Sequence, residues 1–140
     1  MSRVIRSFIL ILGLAAVAFL PACRSARIKN PDPVRAAATE SATRDAIVAA
    51  CDSENWMITK EEPGEIHAKC MVRGKHELSV VIRYTSDDVR VEYEGSHHLD
   101  YSKDWFGHES IHKNGNSWMK NLSWAIRQKI ENRKYDRGAS

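Results

Sequence analysis

His108-Glu109-Ser110-Ile111-His112 carries the residue types of the H-E-x-x-H zinc motif. On a helix, histidines at i and i+4 share one face and hold Zn²⁺, while the glutamate between them acts as general base toward a metal-bound water. That chemistry needs a helix running through the motif and a third ligand. Gly107 stands before it and Asn114-Gly115-Asn116 after it, which predicts a loop or short extended piece instead. Glu131 is a downstream carboxylate, but it sits beside Ile130 with no supporting pattern around it; His97-His98 could join only if a sheet edge came close. Six histidines in 140 residues also make a chance match less rare. The simpler reading has Ile111 packing inward with His108 and His112 flanking it in solvent, and no cofactor. A metal-dependent hydrolase using His108, Glu109 and His112, with zinc, is the alternative.

The N-terminal segment carries chemistry of another kind. Arg3 and Arg6 precede a stretch that is uncharged from Ser7 to Cys23, and its apolar part, 8–20, has the length of a signal-peptide core. A membrane-spanning helix would need about 20 apolar residues. The stretch closes on Leu20-Pro21-Ala22-Cys23, which resembles the lipobox of bacterial lipoproteins: an aliphatic residue at −3, a small one at −1 and Cys at +1. Pro21 at −2 departs from the commoner small or hydroxyl residue, outside the three defining positions. The resemblance implies a signal peptide over residues 1–22, removed after Cys23 is lipidated, and acylation of the new amine. An ordinary secretory signal followed by a chance Cys would instead want small residues at −3 and −1. Arg24 follows the Cys, and by the same resemblance the absence of Asp there implies the outer membrane, periplasmic face, as the destination. The membrane, through the lipid anchor, is then a partner.

Removing residues 1–22 changes the charge balance. Of 21 Lys and Arg, Arg3 and Arg6 are lost, so 19 basic side chains face 18 acidic ones and the formal charge falls from +3 to +1. Such a balance offers no electrostatic footprint for nucleic acid. Basic residues do gather at Arg127, Lys129, Arg133, Lys134 and Arg137, which suits the solvated C-terminal end of a helix, with contact to anionic headgroups as a second reading. With Cys23 acylated, Cys51 and Cys70 remain as an even pair in an oxidising compartment. Both fall on the apolar face of their element. A bridge would close a loop of about 18 residues and contribute about 3 kcal/mol; buried free thiols are the other reading.

The elements that must position these residues follow from periodicity. Residues 23–34, with Pro31-Asp32-Pro33, read as an acylated Cys and linker; 35–134 as a single α+β domain; 135–140 as a tail. A helix is predicted over 36–55, with Ile47, Val48, Ala50 and Cys51 on its apolar side. The period then becomes two. Strands are predicted at 56–61, 65–73, 76–85 and 89–95, separated by Pro63-Gly64, Arg73-Gly74-Lys75 and Ser86-Asp87-Asp88. A second helix is expected from Asn116 or Ser117, with Trp118, Leu122, Ala125, Ile126 and Ile130 as its stripe and Met119 on the edge. One apolar face per strand implies an antiparallel meander of three or four strands in two layers, both helices covering one face.

The order Trp56, Pro63-Gly64, Val81-Ile82-Arg83-Tyr84, Ile111-His112-Lys113-Asn114 and Asn116-Ser117-Trp118-Met119-Lys120-Asn121-Leu122 resembles a family of small proteobacterial outer-membrane lipoproteins. The chain has Gly115 where that family commonly has Tyr, and His98 where it commonly has Asn. The resemblance implies this fold and location and carries no catalytic residues. Trp105, Phe106 and Trp124 are the side chains that the core explains least. They read either as aromatics covering a domain edge or as a contact patch for another envelope protein or the membrane. The functional expectation is a lipid-anchored periplasmic binding or structural module of the cell envelope, without catalytic activity.

Overall fold

Alternation from residue 65 to 84, interrupted at Met71 and Val81, leaves each strand one mainly apolar side to bury, and the fold is organised around burying it. The computed structural model describes residues 24–138; the segment expected to be a signal peptide, 1–22, and Cys23 lie outside the described residues. Among these, eight strands and two helices form an α+β architecture. The central sheet has five antiparallel strands in the order β2-β6-β5-β4-β3: β2 (Val34–Arg35), β3 (Met57–Glu62), β4 (Glu65–Val72), β5 (His76–Tyr84) and β6 (Asp88–His97). Register pairs Ile66 with Ile82, Ala68 with Val80 and Cys70 with Leu78, so these six side chains share the buried face. Val91 opposite Ile82 and Val89 opposite Tyr84 extend it. An extra residue in β6 shifts the register opposite Ser79 and Val80.

Two helices cover that face and pack on each other: α1 (Glu40–Ser53) and α2 (Lys113–Gly138). The helix expected over 36–55 is shorter at its start. Ala37 adopts φ +46, and the amides of Ala36 and Ala38 bond to Asp87 and Ser86. Thr39 then caps the helix, its hydroxyl accepting from the Ala42 amide at 3.2 Å. Asn55 at φ +58 ends it. The Asn55 amide bonds to Asp52 and the Trp56 amide to Cys51, the paired bonds of a Schellman cap. The predicted stripe of α2 is buried at Leu122, Ala125, Ile126 and Ile130, and Met119 is fully buried rather than at the edge.

Three expectations fail here. α2 begins at Lys113, not at Asn116 or Ser117, and runs to Gly138 through what was read as a tail. Gly115 is no helix breaker: it lies buried in the first turn, where a Cβ would stand 2.4 Å from Ile111 Cδ1. The linker read over 23–34 is, from residue 24 on, a strap held to the domain at both ends. Its first part, β1 (Ser25–Arg27), pairs with β8 (Glu109–His112), which pairs in turn with β7 (Ser102–Lys103) to make a second, three-stranded sheet. Its last part, β2, pairs with β6 and buries Val34 completely. The prolines stop helix formation, as expected, but backbone pairing on either side of them orders the segment.

Candidate functional site

The H-E-x-x-H residues are drawn out along a strand. His108 lies in the turn before β8, and Glu109 to His112 form it. Four residue steps of extended chain separate the two histidines by about 13 Å, so no single ion reaches both. Each ring is engaged locally. His108 Nδ1 is 2.8 Å from Asp104 Oδ2, with the Arg27 guanidinium 3.2 Å away, and His112 Nδ1 accepts from the Asn114 amide at 3.3 Å, capping α2. Glu109 accepts from the Tyr101 hydroxyl at 2.6 Å. Ile111 is fully buried, which places the pattern's one apolar residue in the core. Among the described residues no group of three or more His, Cys, Asp or Glu is arranged to hold a metal ion.

Cys51 and Cys70 are both free and buried, so the structure does not make the bridge weighed above. Desolvation pushes the Cys51 thiol up to about 12 and the Cys70 thiol to about 11. Both pack as small apolar side chains without nucleophilic character at neutral pH.

The open sheet face carries a charge network. His67 Nε2 is 2.7 Å from Glu65 and Nδ1 is 2.7 Å from Glu94. Glu65 also bonds Arg83, which reaches Glu92. Burial opposes charge on His67, but the two carboxylates outweigh it and hold the imidazole above the ordinary histidine range. With both ring nitrogens facing carboxylates, the imidazolium is the form this geometry fits. These groups satisfy one another and leave none free for a substrate.

The feature that leaves groups free is a groove of about 500 Å³ between the strap and α2. Asn116 builds it: its Oδ1 accepts from the Lys29 amide at 3.0 Å and its Nδ2 donates to the Arg27 carbonyl at 2.8 Å. Farther along the strap, Asn30 Oδ1 accepts from the Tyr93 amide at 2.9 Å. Lys120, Trp124 and Arg127 follow at i, i+4 and i+7, one face of α2, and with Lys29 and Asp32 they line the groove. Trp124 is 62 % exposed. Lys29, Lys120 and Arg127 are in no ion pair among the described residues, whereas Arg44, Lys60, Arg83 and Arg90 are each paired with a carboxylate. An indole between unpaired cations suits an anionic group attached to an apolar or planar part.

Of the three aromatics that could form a contact patch, only Trp124 lines this groove. Trp105 and Phe106, 97 % and 82 % exposed, occupy the turn between β7 and β8. Asn116 stands out in the sequence only as a helix start, and Asn30, Lys29 and Arg27 do not stand out at all, because side chain-to-backbone clamps leave no periodicity. No helix among the described residues is long and apolar enough to cross a membrane. No protein family, curated protein or solved structure matches this chain.

Proposed function

We propose that this chain is a lipid-anchored binding module of the bacterial cell envelope, tethered through Cys23 at the periplasmic face of the outer membrane. The strap–α2 groove is where it holds its partner. The address rests on the charged start, the 8–20 apolar core and Leu20-Pro21-Ala22-Cys23. The binding role rests on one observation: exposed Trp124 shares the groove with Lys120, Arg127 and Lys29, three cations in no ion pair among the described residues, against the single carboxylate of Asp32. The partner is an envelope component presenting an anionic group beside an apolar surface. Ser117 and Ser123 line the groove, but among the described residues no hydrogen bond links either hydroxyl to a base.

The test is site-specific photocrosslinking in cells that carry the full chain. A crosslinker at Ser117 in the groove should give one adduct of constant mass, lost when Lys120→Glu and Arg127→Glu are combined. The same crosslinker at Thr59, on the exposed edge strand β3, should not give it. Equal adducts from both positions, or adducts indifferent to the charge reversals, would refute the groove as the binding site.

A further inference from the structure

The turn between β7 and β8 displays two large aromatics that the domain itself does not cover. Its backbone is closely tied: Asp104 Oδ1 accepts from the Phe106 and His108 amides at 2.9 and 2.8 Å, and the Asp104 amide donates to the His108 carbonyl at 2.9 Å. Gly107, at φ +84, lets the chain reverse in so few residues. Trp105 and Phe106 therefore project from a fixed apex. At the base of the turn are Arg27, its guanidinium 3.2 Å from His108 Nδ1, and Lys103, 4.0 Å from Glu109. The nearby acids are occupied within the turn, Asp104 by His108 and the two amides, and Glu109 by Tyr101, with Lys103 at 4.0 Å. An indole and a phenyl ring above long Lys and Arg side chains, with the two acids held inward by their own hydrogen bonds, match the depth profile of a bilayer interface, where aromatic rings sit at the headgroup level and Lys or Arg can meet phosphate.

The position of the anchor adds a second, independent argument. The Arg24 carbonyl accepts from the Lys113 amide at 2.8 Å, and β1 starts one residue later. In sequence only Arg24 stands between Cys23 and β1, so an anchor on Cys23 has no further spacer. The aromatic turn lies at the other end of that sheet, about 20 Å along the strands. The geometry points to a bilayer as the surface that Trp105 and Phe106 enter. The three-stranded sheet then lies along the membrane, pinned by acyl chains at one end and by this aromatic wedge at the other. This inference rests on the reading of Cys23 as the lipidated residue. The short tether confines the turn to within about 20–25 Å of the membrane surface, a high effective concentration that favours even a weak insertion.

The experiment uses the full acylated chain in vesicles of phosphatidylethanolamine and phosphatidylglycerol with brominated acyl chains, which quench tryptophan that reaches them. Flotation and the mass of the Cys23 peptide are read on the same sample. Bromolipid quenching should be present in the native chain, retained in Trp124→Phe and lost in Trp105→Ala, a substitution at a 97 % exposed site outside the core. Floated, acylated protein with equal quenching in native and Trp105→Ala overturns the wedge and leaves the anchor standing. Quenching lost in Trp124→Phe instead places the groove on the membrane and also overturns it. A native dimer abolished by Trp105→Ala would assign the turn to a second copy. An unacylated Cys23 overturns both the wedge and the reading beneath it.

Discussion

Asn116→Ala removes the one side chain that, among the described residues, clamps the strap to α2 through hydrogen bonds. Two hydrogen bonds go, at 3.0 and 2.8 Å. A net bond contributes about 0.5–1.5 kcal/mol, and both strap groups can rehydrate, so the local loss should be about 1–1.5 kcal/mol. Alanine at a helical position returns about 0.5 kcal/mol, which keeps the change in global stability small. The discriminating assay is therefore amide hydrogen exchange. An opening made easier by that amount exchanges about tenfold faster, since 1.36 kcal/mol is a factor of ten. The Lys29 amide should show the full effect. Tyr93, whose amide bonds Asn30 on the same strap, should show a smaller one. Ala36, bonded to the Asp87 carbonyl beyond β2, should not change. Unaltered exchange at Lys29 would refute the reasoning, because the strap would then be held by β1 and β2 pairing alone.

Three further outcomes follow from the core and the open sheet face. The folded-state pKa of His67 is raised, so its contribution to stability is complete below the unfolded histidine range and is lost as pH rises through the folded value; His67→Gln should flatten the denaturation midpoint over that window. A native midpoint that does not fall across it would contradict the network. Native protein should react with thiol reagents at Cys51 and Cys70 only after unfolding, and Cys51→Ser should cost about 2 kcal/mol by burying an extra hydroxyl. Fast labelling of the folded chain would oppose this. A Cβ on Gly115 meets Ile111 Cδ1, so Ile111→Val should cost less in a Gly115→Ala background than in the native one, by about 0.5 kcal/mol or more in a double-mutant cycle. Simple additivity would show that the contact relaxes freely.

The meander was legible because a one-sided sheet writes its burial into alternate residues: Ile66, Ala68 and Cys70 against Leu78, Val80 and Ile82 need no further information. The α2 stripe was legible for the same reason at helical spacing. The strap was not, because Ser25–Arg27 and Val34–Arg35 are ordered by main-chain pairing that side-chain type does not record. Gly115 misled because glycine ends helices and also admits close approach, and only the position of Ile111 decides between them. For the candidate site, Trp124 and the aromatic turn could be picked out by residue type, but their separation into a groove and an apex depends on where β8 and the strap run. The H-E-x-x-H match does not take the helical form that the zinc motif needs, since Glu109–His112 occupy a strand whose rise per residue is more than twice that of a helix.

Mass spectrometry of the N-terminal peptide from membrane-extracted protein bears most directly on the lipid-anchored reading. The mature chain should begin at Cys23, with a diacylglycerol thioether on sulfur and an acyl amide on nitrogen, and Cys23→Ser should leave the 1–22 segment uncleaved. A mature N-terminus at another residue, or a Cys23 with a free thiol and free amine, would contradict it.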